Sequence, residues 1–250
     1  MMARAATMII TPTESVRGEV HEHLQLPLER IVAIPEAARS CFRRLETEQT
    51  TAVRQRLGIQ DEFLLFVGTV EPRKNLGILL TAFEEVLRLC AHPLQLVIAG
   101  RAGWLVNDLF SDLKRSPAAA KIVVTGYLSD DDLCALYSSC AAFVYPSIYE
   151  GFGLPPLEAM ACGASVLASR IPSIAEVTGS AARLFAPESI GELVTSIREL
   201  LSSDVLKQTL SNAGAKRAQE FSWARTASLT RSVYLKAIER FSRELQKPER

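Results

Sequence analysis

Histidine is scarce in this chain, and none of the three copies, His21, His23 and His92, is spaced with a cysteine as a metal set would be. The five cysteines, Cys41, Cys90, Cys134, Cys140 and Cys162, contain no CxxC pair. The last four fall inside apolar stretches, so they are expected to be reduced core residues of a cytoplasmic protein. A charge excess is also missing, because 28 basic side chains face 28 acidic ones. No global field therefore exists to recruit nucleic acid or an anionic bilayer, and any bound anion needs a local site. Long hydrophobic runs are absent near the start, where Ala5 to Ile10 is far too short to span a bilayer and has no cleavage pattern after it.

Several motifs are lacking as well. There is no GxSxG elbow and no Walker lysine, and Gly100-Arg-Ala-Gly103 carries only part of the dinucleotide fingerprint. Hydrolase, NTPase and dehydrogenase readings have no anchor. Asp130-Asp-Asp132 looks like a metal-chelating DxD, but Ser129 precedes it and a helical pattern follows. An N-cap with an acidic first turn explains it, and no bound metal is expected.

What remains is a chain with 48% apolar residues, enough for one sizeable α/β domain and some appended helix. From Phe63 onward, short apolar runs alternate with segments of helical period. Strands are predicted at Phe63 to Val67, Gln95 to Ala99, Ile122 to Thr125, Ala142 to Tyr145, Val166 to Ala168 and Arg183 to Phe185. Helices are predicted at Leu76 to Cys90, Asn107 to Lys114, Asp130 to Ser138 and Pro156 to Cys162. This alternation implies a Rossmann-like parallel sheet with helices on both faces, whose ligands meet the carboxyl edge. After Pro187 the pattern is helical, over Ile190 to Leu201, Val205 to Phe221 and Trp223 to Phe241. In the last of these, Trp223, Ala227, Val233, Tyr234, Ala237, Ile238 and Phe241 form an apolar stripe in need of cover. Before residue 60 the expected elements are a strand at Met8 to Thr11, a helix at Glu14 to Leu24, a strand at Ile31 to Ile34 and a helix at Thr47 to Leu57.

Two turns at the carboxyl edge stand out. In the first, Tyr145 to Gly163, Gly151 and Gly153 permit close backbone approach to a ligand, and Pro155 and Pro156 suit a helix start. Free loop amides and the positive end of that helix suit a diphosphate. Glu150 before the glycines and Glu158, expected in the first helical turn, could each grip a diol, one on ribose and one on sugar. In the second turn, Gly68-Thr-Val-Glu-Pro-Arg-Lys-Asn75, Arg73 and Lys74 stand close to a helix start, where cations are unfavourable unless an anion is present. Plainer uses remain open for each: glycines for turn geometry alone, Glu158 as a complement to the helix dipole, Glu150 and Lys74 as solvated charges.

The two motifs together resemble the retaining glycosyltransferases of family 4, also called glycosyl transferases group 1, whose donor domain carries an E-x7-E motif. The resemblance covers roughly residues 60 to 240, about the length of one Rossmann-like domain. It implies the C-terminal, donor-binding half of a GT-B fold, in which Glu150 meets donor-sugar hydroxyls and Glu158 the ribose. Lys74, assisted by Arg73, would hold the diphosphate. Gly68, the amides of Gly151, Phe152, Gly153 and Leu154, and backbone near Tyr127 and Leu128 at the base edge would complete the site. Many relatives carry arginine where this chain has Thr69, so one phosphate contact is absent or replaced by Arg73.

The implied reaction is metal-independent, retaining transfer of a hexosyl unit, with mannosyl favoured by the EPRKN form of the motif, from GDP-mannose or a UDP-sugar to an acceptor glycan or lipid-linked glycan. Polysaccharide synthesis at the inner face of the membrane would be the setting. Residues 1–60 read as the remnant of an acceptor domain plus linker, residues 61–222 as the nucleotide-sugar domain, and residues 223–250 as a returning helix and tail. On that reading the strand from Met8 lacks its sheet, and a second copy or a separate acceptor-domain chain is an expected partner. The alternatives are a non-catalytic nucleotide-sugar-binding module, one subunit of a split transferase, and a nucleotide-sugar epimerase.

Overall fold

A computed structural model of the chain describes residues 5–90, 93–101, 103, 113 and 115–245. In chain order the strands are β1 (Ile9–Thr11), β2 (Ile31–Ala33), β3 (Glu62–Val67), β4 (Leu94–Ala99), β5 (Ile122–Gly126), β6 (Ala142–Tyr145), β7 (Val166–Ser169) and β8 (Arg183–Phe185). The helices are α1 (Glu14–Leu24), α2 (Thr47–Arg56), α3 (Leu76–Leu89), α4 (Asp130–Ser139), α5 (Leu154–Ala161), α6 (Pro172–Thr178), α7 (Ile190–Leu201), α8 (Asp204–Ala218) and α9 (Trp223–Leu245). The helix expected at Asn107 to Lys114 lies outside the described residues, apart from Leu113. Helix α6 follows Ile171, and its brevity hid it from periodicity.

The chain forms two compact units, Met1–Ala37 with Phe221–Arg250, and Ala38–Glu220. In the second unit six parallel strands run in the order β5-β4-β3-β6-β7-β8. This is the doubly wound arrangement, with the first strand of the unit paired to its second and fourth. Alternation along β3 explains why both faces are covered. Leu64 and Phe66 join a core with Leu79 and Phe83 of α3 and Leu193 and Ile197 of α7. Phe63, Leu65 and Val67 join the opposite core, with Leu136 of α4, Met160 of α5 and Ile174 of α6. A two-residue side-chain period on a fully covered strand gives this continuous apolar run.

Glycine lets the strand ends crowd together. A Cβ built on Gly100, just after β4, would stand 1.9 Å from the Gly68 carbonyl oxygen, so no side chain fits there. Gly100 thus has a packing duty between the ends of β3 and β4 that its partial dinucleotide pattern did not reveal.

In the first unit, β1 pairs in parallel with β2, in register Ile9 to Ile31, Ile10 to Val32 and Thr11 to Ala33. The expectation that the strand near Met8 is left without a sheet is therefore corrected: both strands were legible, but their pairing was not. Thr13 caps α1 by accepting from the Val16 amide at 3.2 Å. On α9, Trp223, Ala227, Tyr234, Ile238 and Phe241 are exposed while Val233 is buried, so most of the apolar stripe is uncovered. Among the described residues no helix is long and apolar enough to cross a membrane.

The cysteines are free. Cys134 and Cys162 are buried, whereas Cys90 and Cys140 are only partly so, which corrects the expectation of four core thiols.

Candidate functional site

The site grows from the point where the sheet reverses its winding. From β3 the chain proceeds to β4 on one side, and from β6 it proceeds to β7 on the other, yet β3 and β6 are paired neighbours, Leu64 with Ala142 and Leu65 with Phe143. The loops leaving these two strands emerge side by side at the winding reversal, the place where ligands bind in such sheets. Those loops carry Gly68 to Asn75 and Pro146 to Gly153.

After β3, Pro72–Lys74 forms one 3-10 turn, and Asn75 in the left-handed region starts α3. The turn aims Lys74 back under the sheet edge. Its ammonium donates to Glu150 Oε1 at 2.6 Å and to the Tyr145 hydroxyl at 2.8 Å, and lies 4.8 Å from the centre of the Tyr145 ring. Only 6% of Lys74 and 9% of Glu150 is exposed, which rules out the reading of either as a solvated charge. Arg73 closes the other side, with one nitrogen 2.8 Å from Glu150 Oε2 and Nε 2.6 Å from Glu71 Oε1. The backbones are joined too, since the Ile148 amide donates to the Arg73 carbonyl at 2.9 Å. From α6, Ser173 Oγ donates to the Glu150 carbonyl at 2.6 Å and fixes the loop from behind.

The electrostatics follow from that packing. Burial pulls the Glu150 pKa upward, but the Lys74 ammonium, with the Tyr145 and Ser147 hydroxyls, outweighs it and holds the carboxyl below its usual range. Burial lowers the Lys74 pKa despite the Glu150 charge. The result is a buried cation and anion that order one another.

Helix α5 begins at Leu154, with Gly153 at φ 103° as its N-cap. A Cβ at Gly153 would stand 2.4 Å from Ile174 Cδ1, so the turn needs glycine for conformation and for space. Pro155 and Pro156 have no amide hydrogen, so Leu154 carries the last amide before them at this end. Because the helix starts at Leu154, Glu158 is its fifth residue, and the expected first-turn position is corrected. Glu158 therefore cannot be explained as a first-turn complement to the dipole.

Glu158 sits in a cluster of its own. Arg39, in the segment between β2 and α2, grips Asp130 with two nitrogens at 2.5 and 2.8 Å and reaches to 4.0 Å from Glu158 Oε1. Burial raises the Glu158 pKa to about 7, against the opposing pull of Arg39. Ser129 caps α4 by accepting from the Asp132 amide at 3.2 Å, as its position predicted. Asp130 and Asp132 additionally bind Arg39 and Arg56, the latter at 2.5 Å, which the capping argument did not anticipate.

The remaining candidates are spread along the carboxyl edge. Thr69 is exposed beyond β3. Tyr127 is 69% exposed beyond β5, with the Arg101 guanidinium 4.6 Å above its ring. Leu128 turns its side chain into the core, as does Phe152, while Gly151 is half-buried. Direct bonds thus join Lys74, Arg73 and Glu150, whereas Glu158, Thr69 and Tyr127 stand outside that cluster. Tyr145 and Arg39 are the groups that sequence reading passed over. Tyr145 ends an apolar strand and reads as core, and nothing near Arg39 in sequence points to a carboxylate 119 positions away. Among the described residues no group of three or more His, Cys, Asp or Glu side chains is placed to hold a metal ion.

The sequence model of the family described as "Glycosyl transferases group 1" matches residues 49–217. The chain belongs to this family. Its match contains both loops and every residue of the two clusters except Arg39. Among similar curated proteins, the serotype-specific mannosyltransferase WbdA of Escherichia coli is 33% identical over 245 residues, 96% of this chain and 29% of that protein. The MMP alpha-(1->4)-mannosyltransferase of Mycolicibacterium hassiacum is 44% identical over 186 residues, 73% of this chain and 44% of that protein. The chain thus spans less than half the length of either. Among solved structures, Anabaena Alr3699/HepE in complex with UDP and glucose superposes with a TM-score of 0.81 at 19% identity, covering 92% of this chain and 63% of that one. The shared fold is that of the GT-B glycosyltransferases.

Proposed function

We propose that this chain is the donor-binding, C-terminal half of a retaining family 4 glycosyltransferase that moves a hexosyl unit, mannosyl in the first instance, from a nucleoside diphosphate to an acceptor hydroxyl. The observation that carries the proposal is the buried Lys74–Glu150 pair at the winding reversal of the sheet. An ammonium has three N–H bonds, and Tyr145 and Glu150 accept two of those of Lys74. The third is directed to a phosphate oxygen of the donor, and the amides from Gly151 to Leu154 at the start of α5 supply the rest of the cradle. Gly68 gives the diphosphate room beside Lys74, and the exposed Thr69 carries no charge for it.

In the proposed reaction the nucleoside diphosphate departs as the acceptor hydroxyl attacks from the same face, so configuration is retained. Lys74 and oriented amides neutralise the charge that grows on the leaving group, with no metal required. Glu150, held ionised by Lys74 and Arg73, accepts from donor-sugar hydroxyls, and Glu158 from the ribose. Tyr127 and the Leu128 backbone meet the base edge. Support for mannose comes from the EPRKN motif and from the two relatives named as mannosyltransferases. Transfer is proposed to need an acceptor-binding domain, in the same polypeptide or a separate one, acting on a glycan or lipid-linked glycan at the cytoplasmic face of the membrane.

Calorimetric titration with GDP-mannose, GDP, UDP-glucose and UDP, with and without EDTA, tests the binding half. Saturable, EDTA-insensitive binding of one nucleotide class is expected, with a matching rise in Tm. Absence of binding by all four would remove the donor site. NMR of the product gives the anomeric configuration. Binding without turnover, with transfer restored by a separate acceptor domain, is the outcome expected of a split enzyme.

A further inference from the structure

Arg39 has an arrangement that a surface ion pair does not require. Its guanidinium is locked on Asp130 through two nitrogens at 2.5 and 2.8 Å and stacks 5.1 Å from the centre of the Phe42 ring. Phe42 itself is buried, and its amide donates to the Arg39 carbonyl at 3.0 Å, closing a tight turn. The nitrogen that binds Asp130 Oδ1 is the one 4.0 Å from Glu158 Oε1. The Glu158 side chain is 12% exposed and the Arg39 side chain 54%, so a mostly buried carboxylate lies beside an exposed cation held from elsewhere.

A buried carboxyl left to itself keeps its proton, and a protonated carboxyl is a poorer partner for a vicinal diol than an ionised one, which accepts from two hydroxyls at once. We propose that Arg39, anchored by Asp130, is a positioning residue that orients Glu158 and favours its ionised form, and so makes the site select ribonucleoside over deoxyribonucleoside diphosphates. This rests on the reading of Glu158 as the ribose contact. Planarity matters to the role. A guanidinium can fork onto Asp130 and still face Glu158, whereas a lysine ammonium offers charge without that geometry.

The test is to titrate GDP and UDP, each beside its 2′,3′-dideoxy analogue, into the full chain and into Arg39→Ala, Arg39→Lys and Asp130→Asn. Circular dichroism serves as the check on folding. For the nucleotide that binds, the wild type is expected to prefer the ribose form by about tenfold, the lower end for a charge-assisted hydrogen bond. In Arg39→Ala the preference should fall to about twofold while dideoxy affinity holds, with Arg39→Lys and Asp130→Asn in between, since Asp130→Asn frees Arg39 but also removes a charge that opposes ionisation of Glu158. A general loss of electrostatics or of fold would instead weaken both analogues alike. Equal weakening of the two, or an unchanged preference in Arg39→Ala, overturns the inference and leaves the donor site standing. Failure of the wild type to bind either nucleotide removes the donor site and this inference with it.

Discussion

Glu150 and Glu158 are the same residue type eight positions apart, and the protein shifts their pKa values in opposite directions. Glu150 touches two cations at 2.6 and 2.8 Å, and its pKa lies below the ordinary carboxylate value. Glu158 has one cation no nearer than 4.0 Å, and burial wins, raising it to about 7. Burial acts on both with the same sign, so the difference comes from their partners: close cations and the Tyr145 and Ser147 hydroxyls at Glu150, and a single more distant cation with the Asp130 charge nearby at Glu158. The end of the site assigned to the sugar and diphosphate thus favours the ionised carboxylate, whereas the carboxyl at the end assigned to ribose titrates at about 7.

Removing Lys74 should erase the contrast at the greatest cost. Lys74→Ala leaves Glu150 buried with Arg73 as its remaining cation, and a loss of about 3 kcal/mol in stability is expected from denaturant unfolding. Carbon-13 titration of the carboxyl should show Glu150 moving up toward the behaviour of Glu158. Donor affinity and turnover should drop by about 1.5 to 3 kcal/mol in free-energy terms, and unchanged values would dismiss Lys74 from the site.

The opposite manipulation is Glu158→Gln. Below pH 4.5 the folded and unfolded chains both hold this proton, and above about 7 neither does, so the folded form alone then bears the burial cost. Wild-type stability from this group therefore falls as pH rises from 4.5 through about 7. The glutamine variant should gain at most about 3 kcal/mol at pH 8 and nothing at pH 4, while losing ribose-dependent affinity. A variant no more stable than wild type at pH 8 would contradict the raised pKa.

Between the two carboxylates, Gly153→Ala puts a side chain at φ 103° against Ile174. It should cost about 1 to 3 kcal/mol by thermal unfolding and weaken nucleotide binding at both ends. The smallest expected effect is that of Ser129→Ala. Loss of the α4 cap should cost about 1 kcal/mol and loosen the turn bearing Asp130, with Glu150 titration untouched.

Much of this was readable in advance where the cause is local. The strands of the six-stranded sheet were legible because each is a short apolar run between turn residues, and the Ser129 cap because its partner is three positions away. The glycine loop and the Lys74 turn were legible for the same reason. Glu158 was misplaced within its helix because Pro155 and Pro156 suggested a later start than Leu154. The β1 and β2 pairing, the brief α6 and the packing role of Gly100 escaped, since three-residue strands, one helical turn or two and a close backbone approach leave little periodicity.

By itself, then, the chain's order of residues determined which segments are strand or helix and which turns carry charge and glycine, because those properties depend on neighbours a few positions apart. Tertiary structure alone decided that Lys74 meets Glu150 across 76 positions and that Arg39 reaches Glu158 across 119. For Lys74 and Glu150 the physical reason is the strand order: setting β3 beside β6 brings two distant loops to one edge, and burial there turns ordinary charges into partners.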